Sequence, residues 1–378
     1  MKHSMKYISY YCTRESDRYY FLSAVGKQDY LIGALERVGY NVDVVSRCIT
    51  HGSKYSKGWV KPLFSHSKLI MFPSLPWGNK VQKLISLIFA KFCLLNYLLQ
   101  HGKTHETILV YHAAEPPFVL SLVKKIKKCY IILEVEEIYS DVTGSAKLRK
   151  WESRAFALAD GFVFPTNLLD EKINTDNKPS IIVHGTYQVE KSRQNSDKKQ
   201  DVITHVLYAG TLDPRKGGAA AAAATAAFLP ESYHIHILGF GSDVQVKNIK
   251  KTIKNSSLQG HARVTYDGVL SGEDYIKFVQ SCDIGLSTQN PNAAFNTTSF
   301  PSKILSYLSN GLHVVSIRIP TIEQSAIGDM LFYYDEQTPE CIANAIEKID
   351  LQQPYDSRTR LQKLDKQFAL DLQTLLKG

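Results

Sequence analysis

The residues best suited to chemistry surround one lysine, Lys303, which follows a polar run and precedes apolar residues at helical spacing. This pattern predicts a helix capped by Thr298 or Ser299, with Pro301 in its first turn. A helix N-terminus attracts phosphate because it presents unpaired amides and a partial positive charge, and Lys303 would add a full charge. An ordinary capped helix in an α/β sheet explains the same pattern equally well.

A second group of polar residues follows strands in the first half of the chain. His112 follows a predicted strand, Thr107–Tyr111, and Glu136 and Glu137 follow another, Cys129–Val135. The carboxyl ends of parallel strands meet at one edge of a sheet, where the sites of α/β proteins form. His112 could transfer protons near neutral pH, although a lone histidine after a strand is more often structural.

A series of alternating strands and helices would position these side chains. The first predicted strand, Tyr7–Tyr11, precedes a loop over residues 23–29 and a helix over Asp29–Val38. Gly26 and Lys27 would lie in that loop and could face a substrate, although a plain strand-to-helix connection explains them as well. Residues 50–80, rich in Lys, Ser, Trp and Pro, indicate an irregular excursion.

The chain is long enough for two domains, and its most polar stretch lies near the middle. Residues 189–202 are nearly free of apolar side chains and predict a linker. Strands and helices alternate again after it, beginning with strands at His205–Ala209 and His234–Leu238. The alanine-rich run Ala219–Ala227 between them favours a helix.

Charge and cysteine content indicate the setting. Residues 1–133 carry 19 Lys and Arg against 7 Asp and Glu, so this part alone is more basic than the whole chain at +9. A membrane surface or lipid phosphate is the expected acidic partner, since no zinc-finger or RRM signature indicates nucleic acid, although a solvated surface or a generally basic proteome explains the charge equally well. The six cysteines form no Cys-x-x-Cys pair, which is typical of reduced thiols in a cytoplasmic protein. Val81–Leu99 is apolar but interrupted, so a core helix is favoured over one at a membrane interface, and a transmembrane helix is excluded.

The order of glycine-bearing loops resembles one family, the GT-B-fold glycosyltransferases of the large retaining family 4, in particular the bacterial surface-polysaccharide members. Gly210–Gly217 resembles the family's G-R-L-x-x-x-K-G loop, and Ile237–Gly241 resembles its I-x-G-x-G strand end. Val264–Leu270 resembles the V-x-F-x-G-x-V turn, and Thr298–Ser306 resembles the E-x7-E motif. The resemblance covers residues 200–350 well and residues 1–190 more loosely.

The resemblance implies an α/β fold of GT-B type, in which two Rossmann-like doubly wound domains face a cleft. It implies an acceptor-binding domain over residues 1–188, the linker over 189–202, a nucleotide-sugar-binding domain over 203–352, and a C-terminal segment over 353–378 that packs back on the first domain. The expected catalytic residues are His112, Lys216 and Lys303. The expected donor-binding residues are Thr211, Arg215, Gly239, Phe240, Gly241, Gly268, Val269, Leu270, Thr298, Ser299, Phe300, Ser302 and Ser306. The expected acceptor-binding residues are Gly26, Lys27, Glu136 and Glu137.

The sequence departs from the family pattern at three charged positions. Thr211 stands where the family has an arginine, and Thr298 and Ser306 stand where it has the two glutamates. Arg215 or Lys303 could supply the missing cation, although arginine binds phosphate through two hydrogen bonds whereas lysine acts as a point charge.

The expected function is transfer of a hexose-type sugar from a nucleotide-diphosphate sugar to a glycan acceptor, with retention. The acceptor would be polyprenyl-linked, in the synthesis of O-antigen, capsule or exopolysaccharide at the inner face of the plasma membrane. No cofactor or metal is expected, since no Asp-x-Asp motif is present and lysines can neutralise a diphosphate. Two alternatives remain: a non-catalytic GT-B binding or scaffolding protein, and a nucleotide-sugar epimerase of GT-B fold.

Overall fold

The computed structural model describes residues 3–13, 18–19, 22–50, 54–112, 116–192, 202–215, 218–259 and 262–377. Lys216 and residues 193–201 of the predicted linker therefore lie outside the described residues. The chain divides into two compact units, which are Met1–Val183 with Lys366–Gly378, and His184–Asp365.

The first unit contains one eight-stranded sheet covered by helices. Its strands are β1 (His3–Ser9), β2 (Tyr40–Ser46), β3 (Trp59–Leu63), β4 (Ser67–Met71), β5 (Thr107–Tyr111), β6 (Tyr130–Glu134), β7 (Gly161–Phe164) and β8 (Ser180–Ile182). Its helices are α1 (Leu22–Arg37), α2 (Lys80–His101), α3 (Pro117–Lys127), α4 (Tyr139–Thr143), α5 (Ala146–Leu158) and α6 (Asn167–Ile173). The strand order is β3-β4-β2-β1-β5-β6-β7-β8, and only the β3–β4 pair is antiparallel. The central strands are continuous apolar runs because helices cover both faces of a parallel sheet.

The second unit contains a six-stranded parallel sheet. Its strands are β9 (Thr204–Thr211), β10 (Tyr233–Phe240), β11 (Arg263–Gly268), β12 (Ile284–Ser287), β13 (His313–Ile317) and β14 (Phe332–Tyr334). Its helices are α7 (Ala219–Ala224), α8 (Asp243–Gln259), α9 (Gly272–Gln280), α10 (Lys303–Ser309), α11 (Pro320–Glu323) and α12 (Pro339–Glu347). The strand order is β11-β10-β9-β12-β13-β14. The last helix, α13 (Ser357–Lys377), ends in the first unit, where Phe368 stacks on Tyr30.

Each sheet has one topological switch point, where the order of the strands reverses. The switch lies between β1 and β5 in the first unit and between β9 and β12 in the second. In open α/β sheets, ligands bind in the crevice outside the carboxyl ends of the two strands at the switch. The topology therefore predicts that a ligand of the second unit binds at the carboxyl ends of β9 and β12.

Two predictions in the first 80 residues are wrong. Residues 50–80 are not an irregular excursion, since they contain the β3–β4 hairpin at the edge of the sheet. Gly26 and Lys27 do not lie in a loop, because α1 begins at Leu22 and includes both. Nothing lies within 4 Å of the position that a Cβ of Gly26 would take, so this glycine lies at an open position of the helix.

The favoured interpretation of α2 as a core helix holds for only one of its faces. Leu94 and Leu98 are buried in the core, but Ile85, Ile88 and Phe92 expose half or more of their surface. By length and composition alone, Lys80–His101 is also long and apolar enough to cross a membrane, although the sequence interpretation excluded a transmembrane helix. The helix therefore has one buried face and one exposed apolar face.

Candidate functional site

The crevice of the second unit opens because β9 and β12 pair over only two residues. Their pairing joins Ile284 to Val206 and Gly285 to Leu207. Beyond it, the Tyr307 side chain from α10 occupies the space between the strands. Its hydroxyl accepts a 2.8 Å hydrogen bond from the Ala209 amide of β9. The same oxygen lies 3.4 Å from the Leu286 carbonyl oxygen of β12.

Lys303, one helical turn before Tyr307, places its ammonium group at the carboxyl end of β9. Its Nζ lies 4.2 Å from the ring centroid of Tyr208 and 3.2 Å from the position that a Cβ of Gly210 would take. Within the described part of the chain, no carboxylate forms an ion pair with this ammonium. Burial lowers the pKa of Lys303 to about 8. A desolvated cation without a counter-ion is costly, so an anion at this position would be strongly attracted.

The glycines at the strand ends permit close approach of the neighbouring backbone. A Cβ on Gly239 would lie 2.3 Å from the Gly210 carbonyl oxygen, and a Cβ on Gly218 would lie 2.0 Å from the Thr288 carbonyl oxygen. Thr288 also donates a 3.0 Å hydrogen bond to the Gly218 carbonyl oxygen. The loops after β9 and β12 are therefore held together beside the crevice, where Gly210 lies between Gly239 and Lys303.

The predicted capping of the helix that carries Lys303 is wrong. The helix α10 begins at Lys303, and Ser302 precedes it without a side-chain cap. Thr298 and Ser299 lie several residues before the helix, because the residue before Pro301 is disfavoured in helical conformation. The helix has only seven residues, so the positive charge of this site comes from the lysine rather than from capped amides.

Two buried polar atoms near these strand ends lack hydrogen-bond partners among the described residues. They are the Ser299 hydroxyl oxygen and the Gln289 side-chain nitrogen, Nε2. The Gln289 carbonyl oxygen, Oε1, accepts a 3.0 Å hydrogen bond from Ser287. Sequence reasoning missed Gln289, although it belongs to the polar run that directly follows β12. A substrate atom at either position would supply the missing partner.

Three of the other predicted donor-binding residues lie within hydrogen-bonding distance of neighbouring side chains. Arg215 is exposed and donates three hydrogen bonds to Asp213, so it is less suited than Lys303 to replace the missing arginine. The Thr211 carbonyl oxygen accepts a hydrogen bond from the Tyr208 hydroxyl. Ser306 lies 3.2 Å from the Tyr275 hydroxyl.

The remaining members of that set are either buried or at least partly exposed. Thr298 is buried, and the ring of Phe300 packs 4.9 Å from that of His184. The exposed or partly exposed members are Phe240, Gly241, Gly268, Val269, Leu270 and Ser302. Gly268 ends β11 with φ +80°, a conformation that favours glycine.

The acceptor-binding candidates of the first unit lie at the carboxyl end of its sheet. Lys27 forms a 2.5 Å ion pair with Glu136, which joins α1 to the end of β6. Glu134, two residues earlier, is fully buried and accepts a hydrogen bond from the Tyr7 hydroxyl, whereas its other carboxylate oxygen has no partner among the described residues. Sequence reasoning missed Glu134, whose signal is a carboxylate inside an apolar strand.

His112 is enclosed rather than exposed. Its ring lies between those of Tyr139 and Phe156, and its Nε2 lies 3.5 Å from a carboxylate oxygen of Glu152. Glu152 in turn accepts hydrogen bonds from the Tyr139 and Ser140 amides at the start of α4. Burial lowers the pKa of His112 to about 4, so the imidazole is neutral at pH 7 and is a weaker base than an exposed histidine.

The buried carboxyl of Glu134 should make stability depend on pH. Burial and the nearby Glu136 raise its pKa to about 7. The folded state therefore holds a proton that the unfolded state has lost between about pH 4.5 and 7, so this group's stabilisation is present below pH 4.5 and is lost as the pH rises through 7. Because glutamine does not titrate, the variant Glu134→Gln should lack this loss. The free energy of unfolding of the variant minus that of the parent should therefore rise by about 2–3 kcal/mol as the pH increases from 4.5 to 8.

Urea unfolding of both proteins at several pH values measures this difference. Taking the difference removes the opposite effect of His112, whose low pKa makes stability fall as the pH falls from about 6.5 to 4. A constant difference across this range would contradict the raised pKa of Glu134.

No protein-family model and no curated protein matches this sequence. Solved structures match over nearly the whole chain. A sucrose-phosphate synthase from Thermosynechococcus elongatus matches with a TM-score of 0.72 and 14% identity, over 100% of this chain and 98% of that one. A trehalose-6-phosphate protein from E. coli, bound with UDP-2-fluoro glucose, matches with a TM-score of 0.68 and 10% identity over 98% and 99%. Anabaena Alr3699/HepE, in complex with UDP and glucose, matches with a TM-score of 0.63 and 14% identity over 99% and 97%. These likenesses confirm the predicted α/β fold of GT-B type, with two parallel-sheet domains.

Proposed function

We propose that the protein is a glycosyltransferase that uses a nucleotide-diphosphate sugar, and that Lys303 binds the donor diphosphate. The observation that carries this proposal is the desolvated ammonium of the partly exposed Lys303 at the β9–β12 switch point, without a counter-ion among the described residues. A diphosphate supplies the negative charge that this position lacks. Two structures of similar fold hold UDP or a UDP-sugar, which supports a donor of this class.

The proposed chemistry requires stabilisation of a leaving diphosphate. When the bond between the sugar and the diphosphate breaks, negative charge grows on the diphosphate oxygen, and a preorganised cation stabilises that state more than the bound substrate. Lys303 would supply this charge, and Lys216 would supply a second one on the grounds of sequence. Ser299 would donate its hydroxyl hydrogen to a donor oxygen. The finer proposal is a hexose-type sugar transferred with retention and without a metal ion.

The acceptor is proposed to bind at the carboxyl end of the first sheet. Lys27, Glu136 and Glu137 would contact its hydroxyls. In this proposal the acceptor is a polyprenyl-linked glycan of a surface polysaccharide, and the protein acts in the cytoplasm at the inner face of the plasma membrane.

A screen of nucleotide sugars tests the function. Thermal unfolding is followed with each donor and each nucleoside diphosphate, and stabilising donors are then incubated with glycan acceptors. Binding at a hundred times Kd should add about 2.7 kcal/mol to the free energy of unfolding. Stabilisation without transfer or donor hydrolysis would favour the non-catalytic alternative, whereas conversion of the donor sugar alone would favour an epimerase. No shift with any nucleoside diphosphate at millimolar concentration would contradict the donor site.

Membrane attachment is proposed through the exposed apolar face of α2. This face carries Ile85, Ile88 and Phe92, and Lys83 and Lys91 lie on the same helix. An amphipathic helix with basic residues binds anionic membrane surfaces by inserting its apolar face and attracting lipid phosphate. The excess of positive charge in residues 1–133 supports the same partner.

Co-sedimentation with lipid vesicles tests this attachment. The protein should sediment with anionic vesicles and much less with neutral ones, and binding should weaken as salt rises, since exposed charges are screened over about 8 Å at physiological ionic strength. Serine at both Ile88 and Phe92 should abolish binding. Serine at Val244 and Leu258, exposed apolar residues of α8, is the matched control and should leave it intact. Equal recovery with neutral and anionic vesicles would count against the proposal.

A further inference from the structure

Three histidines lie together on one face of the second sheet, near the amino ends of its strands. His205 in β9 is the register partner of His234 in β10, and His236 follows on the same face. One ring nitrogen from each lies within 4.8 Å of those of the other two. His234 and His236 are buried, whereas His205 is partly exposed. The three rings therefore lie close together, and the cluster has a route to solvent through His205.

Neighbouring side chains on β11 fix the orientation of two of these rings. Asp267 lies 3.1 Å from His236 Nδ1, and Thr265 lies 3.0 Å from His234 Nε2. A carboxylate only accepts hydrogen bonds, so His236 donates from Nδ1. The Thr265 hydroxyl donates its one hydrogen to Asp267, so it must accept from His234 Nε2.

This assignment leaves a lone pair on each of the two rings. In a neutral imidazole only one nitrogen carries hydrogen, so the lone pairs are on His236 Nε2 and His234 Nδ1. His205 Nδ1 lies 2.9 Å from His236 Nε2. A histidine that donates its other N–H to a carboxylate, as His236 does to Asp267, has the arrangement found around protein-bound zinc.

We propose that His205, His234 and His236 bind a divalent transition-metal ion of the Zn²⁺ class. Two nitrogens on a tetrahedral zinc ion at 2.0–2.1 Å are about 3.3 Å apart, so the rings of His205 and His236 need to separate by less than about 0.5 Å. In the bound form His205 carries its hydrogen on Nε2 and presents Nδ1 to the metal. Water takes the fourth position on the partly exposed side.

The ion joins the amino-end halves of β9 and β10, whereas the proposed donor site lies at the carboxyl end of β9. The two sites use no residue in common, so this metal has no part in the sugar-transfer step. Its effect is on the stability of the second unit, because an ion that binds the folded state alone stabilises it by mass action.

Titration with Co²⁺ and Zn²⁺ tests the proposal, using full-length protein stripped by a chelator and free of any histidine tag. Co²⁺ should give the visible absorption bands of a four-coordinate site, with one equivalent bound, and Zn²⁺ should displace it. Both ions should raise the melting temperature. Removing the metal should leave the affinity for nucleoside diphosphates unchanged.

Variants distinguish this site from adventitious binding. His205→Asn and His236→Asn should each weaken Co²⁺ binding at least 100-fold. Asp267→Asn should weaken it 10- to 100-fold, since Asp267 acts through the orientation of His236 and, by way of Thr265, of His234. His313→Asn is the matched control, because His313 begins β13 and stacks on Tyr355 outside the cluster. His205 is partly exposed, so its variant remains informative if His236→Asn fails to fold. A parent Kd above 100 µM, or binding that survives in both His205→Asn and His236→Asn, would overturn the proposal.

Discussion

Replacing Lys303 with methionine should lower kcat for sugar transfer by on the order of 10² or more, comparable to the loss of one electrostatic donor. The reason is that the ammonium acts on charge that develops on the leaving diphosphate, so its loss raises the barrier itself as well as Kd. Methionine keeps most of the side-chain length and packs in apolar surroundings. Steady-state kinetics with the donor found by the nucleotide-sugar screen measures this effect.

The same substitution should stabilise the ligand-free protein. The pKa of Lys303 is about 8 in the folded state, against an ordinary value of 10.5. The unfolded state therefore binds more protons between pH 8 and 10.5, and the folded state carries an unfavourable charge at pH 7. The difference corresponds to at most about 3 kcal/mol. Lys303 is partly exposed and its ammonium is attracted to the Tyr208 ring, so we expect a gain of about 1–3 kcal/mol.

A matched control for this substitution is Lys250→Met. Lys250 lies in α8 with its ammonium 5.8 Å from the ring centroid of Tyr266, so it is also a lysine beside a tyrosine, but it is exposed. It should change neither kcat nor stability appreciably. Lys303→Arg should retain part of the activity, since the charge remains. A Lys303→Met protein with unchanged kcat and KM would show that the lysine has no role in transfer.

Gly285→Ala should destabilise the protein by about 2–4 kcal/mol and weaken donor binding at the same time. A Cβ at this position in β12 would lie 2.4 Å from two ring atoms of Tyr307. The ring cannot move freely, because its hydroxyl is held by the Ala209 amide. The helix α10 must then shift, and Lys303 shifts with it. Chemical unfolding and calorimetry with a nucleoside diphosphate measure the two effects.

Gly33→Ala is the control for the loss of a glycine. Gly33 lies inside α1, and nothing lies within 4 Å of its Cβ position. This substitution should leave donor binding unchanged and raise stability by up to about 1 kcal/mol, because alanine is the better helix former. If Gly285→Ala proves as harmless as Gly33→Ala, the packing of Tyr307 on β12 does not position Lys303.

Periodicity in the sequence was sufficient to predict the α/β fold, because the buried strands are long apolar runs between turn residues. The bounds of β5 agree with the prediction to the residue. The β3–β4 hairpin was missed, because β3 is an edge strand with Lys61 and Pro62 in it and exposes most of its side chains. Edge strands lack the apolar signal on which such predictions depend.

The site was predicted less well than the fold. Lys303 and the glycines at 210 and 239 were found because their residue types and order are local features. Their environment could not be predicted from the sequence. The position of Tyr307 depends on the divergence of β9 from β12, and no local sequence pattern indicates that divergence. The burial that lowers the pKa of Lys303 likewise comes from residues distant in the sequence.

Calorimetric titration of a nucleoside diphosphate at pH 7 and pH 9 tests most directly whether a charged Lys303 holds the donor. If only the ammonium form binds, a pKa of about 8 in the free protein makes the affinity about tenfold weaker at pH 9 than at pH 7. The Lys303→Met variant should bind weakly at both values and show no such dependence. Equal affinities in parent and variant, or the same pH dependence in both, would contradict the assignment of Lys303 to the diphosphate.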